Sequence, residues 1–125
     1  MIDLTKYESP FCQRSKQSVK HLQKLIMIWD KNTPPEQDDL EESQRVVHNL
    51  KGGGAMLGCQ GLSNLAGVME SIFKNMIDGQ KKISPQLIKN LELACKVILE
   101  KLDNFSELKK SDFSDLIKKL SLELH

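Results

Sequence analysis

The sequence predicts an all-α fold: an antiparallel up-down four-helix bundle with a fifth, C-terminal helix packed alongside. Apolar residues recur at spacings of three and four along almost the whole chain, which is the periodicity of an amphipathic helix. Aromatics are few, at 5% of 125 residues, while Leu, Ile, Lys and Glu are abundant. Glycine and proline cluster at a handful of positions that divide the chain into five helical stretches.

The first helix is predicted over residues 10–31. Ser9 and Pro10 suit a cap and a first helical position, and Phe11, Val19, Leu22, Ile26 and Trp29, with Leu25, form its apolar stripe. The loop NTPP stops it. The second helix, over 36–57, opens with Glu36, Asp38 and Asp39, acids that favour the positive end of a helix dipole. Its stripe is Leu40, Val47, Leu50, Gly54 and Leu57, and Gly58 ends it.

The third helix, 61–78, carries Leu62, Leu65, Met69, Ile72 and Met76 and ends at Gly79. The fourth, 85–103, comes at the end of the stretch KKISP and presents Ile88, Leu91, Cys95, Ile98 and Leu102. The fifth, 111–123, presents Phe113, Leu116, Leu120 and Leu124. Short loops make sequential helices antiparallel. Residues 1–125 are expected to form a single domain, of a size that buries roughly two-thirds of its unfolded surface.

Lys and Arg number 18 against 17 Asp and Glu, a formal net charge of +1. No polybasic patch stands out, so neither nucleic acid nor a membrane surface is an expected partner. Cys12, Cys59 and Cys95 are widely spaced and odd in number, which fits reduced packing thiols rather than a disulfide framework. The N-terminus lacks the order of a signal peptide, and no apolar run approaches the ~18 residues of a spanning helix. A cytoplasmic location is expected.

The stretch HNLKGGGAMLG places a histidine just before three glycines inside the second helix, although each glycine there costs roughly 1 kcal/mol relative to alanine. At 100° per residue His48 points about 200° away from the core residue Leu50. Lys51, Gly52 and Ala55 share its outward face. Beyond the histidine that face is one ammonium and otherwise almost bare backbone, open to a large partner. Gly54 falls on the inward stripe, where, with Gly58, it gives a neighbouring helix room. Gly53 fits neither use.

His48-Asn49-Leu50-Lys51-Gly52 followed by Gly58 resembles the H-x-L-K-G motif of histidine phosphotransfer (HPt) domains. Residues 15 to 105 are most similar to the N-terminal phosphotransfer domain of chemotaxis histidine kinases, through the Leu-rich first helix, HNLKGGGAMLG, Met69-Glu70, Asp78-Gly79 and ISPQLIKNLELACKVI. The resemblance implies that His48 is the phosphoacceptor and that Glu70 orients it through the second ring nitrogen, which fixes the tautomer and strengthens the nucleophile. It implies that Lys51 offsets the phosphoryl charge and that Gly52 and Ala55 belong to the docking strip. The competing reading of Glu70 is a surface carboxylate paired with Lys74 one turn on. Where chemotaxis-type members often carry a second histidine, one turn before the Glu, this sequence has Gly67.

The implied function is a phosphocarrier in a two-component or chemotaxis pathway. It would take phosphate from a histidine kinase catalytic domain, or from a phosphorylated receiver, and pass it to an aspartate of a response regulator receiver domain. The chain would be a monomeric carrier needing no cofactor or metal, and part of a histidine kinase if excised from a longer chain. The rival reading is a non-phosphorylated helical adaptor that docks the same partners.

Other sites are excluded by spacing. Gly53 to Gly58 has the two glycines of a P-loop, but Cys59-Gln60 follows where Lys-Ser/Thr is needed, and no strand precedes it. Ser18 and Arg45 stand where Glu-x-x-His di-iron pairs would put Glu, and no zinc-ligand spacing occurs. His21, His125 and the lysine pairs beginning at 81, 109 and 118 are expected on solvated faces. No ATP-binding module is expected within these residues.

Overall fold

A computed structural model describes residues 3–30 and 32–124. The described residues hold six α-helices and two short 3-10 turns, with no strand. Four long helices make the bundle: α1 (Glu8–Met27), α2 (Gln37–Met56), α3 (Gln60–Ile77) and α4 (Pro85–Lys101). Two short ones follow, α5 (Phe105–Lys110) and α6 (Ser114–Ser121).

The register of the contacts shows the antiparallel arrangement. On α1 and α2, His21 faces Glu42 while Phe11 meets Gly53. On α2 and α3, Gly54 lies against Ser63 while His48 meets Glu70. The α2–α3 pair is the most extensive helix contact, α1 also packs on α4, and α6 lies against α3 and α4. The predicted stripes supply the core: Val19, Leu22, Ile26, Val47, Leu62, Leu65, Met69, Ile72, Leu91 and Ile98 are fully buried. Each such side chain contributes about 1.5–3 kcal/mol through burial.

Three element boundaries differ from expectation. The first helix starts at Glu8, after a 3-10 turn over Thr5–Tyr7, so Ser9 is not its cap and Pro10 is its third residue rather than its first. Pro10 is tolerated because N–H groups in the first turn have no intrahelical acceptor. The same helix ends at Met27, not near residue 31, because the Asp30 carboxylate accepts from Asn32 N (2.7 Å) and Thr33 N (2.6 Å). That local turn competes with the helix ladder. Trp29 leaves the helix yet stays buried, edge-on to Phe73 with ring centroids 6.3 Å apart.

The third difference is at the C-terminus, where the expected helix over 111–123 begins only at Ser114. A separate helix precedes it, capped by the Asn104 side chain, which accepts from Glu107 N at 3.2 Å. Phe113 connects the two in the left-handed region (φ 53°), which turns the chain while keeping the ring buried. The connection is also seated closely. A Cβ on Gly61 at the start of α3 would stand 2.0 Å from the Ser111 carbonyl oxygen and 2.8 Å from Asp112 Cα.

Pro85 opens α4 and Ser84 caps it: the Ser84 hydroxyl accepts from Leu87 N at 3.1 Å. Lys81 does not sit on a solvated face. It is largely covered and pairs with Glu123 at 2.7 Å, tying the α3–α4 connection to the C-terminal turn. His21 is half exposed, and His125 lies outside the described residues. The three thiols are free and buried, and desolvation pushes Cys95 up to about 12, with Glu92 adding to the effect.

Candidate functional site

The tight connection between α2 and α3 sets the site. Gly58 adopts φ +80°, which lets Cys59 N donate to Gly54 O (2.7 Å) and Gly58 N to Ala55 O (3.2 Å). These bonds satisfy the last carbonyls of α2 and reverse the chain within three residues. Gly58 thus serves the turn rather than helix packing. Gly54 alone gives the neighbouring helix room: a Cβ there would touch Cys59 O at 3.4 Å and Ser63 N at 3.5 Å. One turn along, the Ser63 hydroxyl donates to Lys51 O at 3.0 Å and fixes the register of the seam.

That register sets Glu70 of α3 opposite His48 and Lys51 of α2. Glu70 Oε2 lies 2.6 Å from His48 Nδ1, and Glu70 Oε1 lies 2.5 Å from Lys51 Nζ. The carboxylate is the buried member, with 5% of its side chain exposed, against 63% for His48 and 40% for Lys51. Its pairing is with α2, not with Lys74 on its own helix.

Desolvation is the largest single influence on Glu70 and raises its pKa. The hydrogen bonds from Lys51 and His48, together with their charges, outweigh it and hold the carboxyl below its ordinary value. An ionised carboxylate can only accept, so Nδ1 carries the proton toward Glu70. Nε2 is the ring's other nitrogen, on a side chain that is 63% exposed. An exposed imidazole oriented by a carboxylate on one nitrogen is suited to act as a nucleophile toward an electrophile delivered by another protein.

The outward strip is as bare as the angles require. Gly52 and Ala55 are exposed, and a Cβ on Gly52 would meet nothing within 4 Å. Gly53, which the helix's own pattern left without a use, lies under α1: a Cβ there would stand 2.5 Å from Phe11 Cε1. Beside it an open groove of about 410 Å³ runs between α1 and α2, lined by Tyr7, Phe11, Arg14, Asn49, Gly53 and Met56. Neither the groove nor the bond from the Ser63 hydroxyl to Lys51 O could be read from one helix's periodicity, since each depends on pairing between helices. Among the described residues, no group of three or more His, Cys, Asp and Glu side chains is gathered as metal ligands.

The helical bundle is that of a histidine phosphotransfer domain, and the chain belongs to that family: residues 9–107 match the Hpt domain. It is a histidine phosphotransfer module of the phosphorelay type. Among individual proteins, it is similar to chemotaxis protein CheA of Borreliella burgdorferi, with 31% identity over 112 residues. The match takes in 88% of this chain but only 13% of that relative's length. No helix among the described residues is long and apolar enough to cross a membrane.

Proposed function

We propose that His48 carries a phosphoryl group between a histidine kinase catalytic domain, or a phosphorylated receiver, and an aspartate of a response regulator receiver domain. The observation that carries this reading is the Glu70 carboxylate 2.6 Å from Nδ1 of an imidazole whose side chain is 63% exposed. In the forward step the Nε2 lone pair attacks phosphorus, the new P–N bond forms, and the P–O bond to the leaving group breaks with its electrons. Positive charge that develops on the ring is stabilised by Glu70, which can also take the Nδ1 proton. In the second step an aspartate oxygen of the receiver attacks, and the P–N electrons return to Nε2.

Lys51, one helical turn from the ring, offsets the phosphoryl charge from beside the carboxylate it holds. Gly52 and Ala55 admit the partner's face to the imidazole. Residues 1–125 act as one monomeric, cytoplasmic module, a carrier rather than a complete enzyme. The likeness to a chemotaxis protein favours a chemotaxis pathway for it.

The test is phosphorylation by a cognate kinase with labelled ATP, or back-transfer from a phosphorylated receiver. Wild type is expected to take up acid-labile, alkali-stable label, and His48→Gln none. Label that persists in the variant, or none on wild type with any cognate donor, would leave a docking adaptor as the function.

A further inference from the structure

Two cations flank His48 along α2, each one turn away. Lys51 stands three residues after it and Arg45 three before, so each lies about 60° around the helix axis from the imidazole, on opposite sides. The Lys51 side meets α3, where the ammonium pairs with Glu70. The Arg45 side meets α1: Arg45 pairs with Glu42, and the Glu42 carboxylate also lies 3.9 Å from His21 Nε2. The two cations differ in how firmly they are committed. Lys51 is tied to a carboxylate that is almost wholly buried. The Arg45 side chain is 64% exposed and that of Glu42 33%, so solvent reaches both members of the pair. Ion pairs of that kind are screened by water and salt and exchange partners easily.

A phosphoryl group on His48 would bring about two negative charges to this face. The Lys51–Glu70 pair is neutral as a whole and leaves most of that charge unbalanced. We propose that Arg45 is a second phosphate-binding residue, which leaves Glu42 as the phosphoryl group arrives and donates to its oxygens instead. A guanidinium suits that exchange, because its planar fork fits a phosphate as well as a carboxylate. Helical side chains lean toward the preceding turn, which for His48 is the turn that carries Arg45. Glu42 is not stranded by the exchange, since it is partly hydrated and His21 remains beside it. The inference rests on the phosphocarrier reading and adds to it a group from the α1 side of the imidazole.

The test compares wild type, Arg45→Gln, Arg45→Lys and Glu42→Gln, each phosphorylated by a cognate kinase with labelled ATP. At saturating donor the uptake rate should fall about tenfold in Arg45→Gln. The loss should be smaller in Arg45→Lys, which keeps the charge but not the fork. Glu42→Gln should match or exceed wild type, because Arg45 is already released. Urea unfolding should be alike in all of them, since the pair lies at the surface. By ¹⁵N NMR, the Arg45 Nε resonance should move when wild type is phosphorylated.

Opposite responses to loss of the two partners separate this role from a structural one, because a pair that only staples α2 is damaged equally by either change. Equal rate losses in Arg45→Gln and Glu42→Gln would therefore overturn the proposal. So would wild-type uptake by Arg45→Gln, or an Arg45 Nε resonance that phosphorylation leaves in place. Absence of label on wild type would overturn the phosphocarrier reading itself, and this inference with it.

Discussion

Replacing Glu70 with alanine should separate activity from stability. The substitution removes the acceptor of two charge-assisted hydrogen bonds, from His48 Nδ1 at 2.6 Å and Lys51 Nζ at 2.5 Å. A hydrogen bond to a charged group is worth about 1.5–3 kcal/mol, which corresponds to a rate factor between ~10 and ~150 if all of it orients the nucleophile in the transition state. With 63% of the His48 side chain in solvent, water competes for the ring, and the lower end of that range, about tenfold, is expected.

The stability change should be small. Burying the carboxylate itself costs several kcal/mol in desolvation, which largely cancels the gain from its two bonds. The partners left behind are 63% and 40% exposed and can hydrate, so no unpaired buried charge remains. A net change within about 1 kcal/mol is the expected outcome, from urea unfolding run beside the uptake assay. Unchanged uptake would remove Glu70 from the site. A stability loss above about 3 kcal/mol would refute the cancellation argument and make the pair a structural element.

Three further outcomes follow from the same geometry. Gly61→Ala would force a Cβ to within 2.0 Å of the Ser111 carbonyl oxygen, a backbone atom that cannot rotate away, so it should cost about 2 kcal/mol or more of stability, read as a lower urea midpoint. Gly52→Trp, at an exposed position with nothing within 4 Å, should leave the unfolding curve near wild type while raising KM for the receiver about tenfold by steric block. In acid, the Glu70 carboxyl held below its usual value contributes stability that is complete above the unfolded carboxylate pKa of about 4.3 and lost as pH falls through the folded value. The stability advantage of wild type over Glu70→Gln should therefore be largest near neutral pH and shrink as pH falls below about 4.3; a pH-independent difference would contradict it.

How much of this was legible in the sequence depended on whether a feature belonged to one helix or to two. The stripes of α2 and α3 are properties of single helices, and the residues they marked as core, from Leu40 to Leu57 and from Leu62 to Met76, are buried. The outward placement of His48 and Gly52 follows from the same angles. The end of α1 was misread because Trp29 continues the apolar spacing, while the turn that stops the helix is made by the Asp30 side chain, which has no period. The C-terminal segment was misread for a similar reason. Asn104 caps a six-residue helix too short to show periodicity, and Phe113 mimics a helical core position while standing in the left-handed region.

The glycine run shows why the site could be located but not completed from the sequence. Successive residues of a helix point about 100° apart, so Gly52, Gly53 and Gly54 face three different surroundings. Gly52 faces solvent, Gly53 lies under the Phe11 ring of α1, and Gly54 lies against the start of α3. The helix bearing the imidazole is thus approached closely from two sides and left bare on the third. Larger residues at 53 or 54 would move α2 away from α1 or α3, and a shift along the α3 seam would carry His48 out of reach of Glu70. The glycines that weaken α2 as a helix are what let its neighbours hold it in one register, and the 2.6 Å contact on Nδ1 depends on that register.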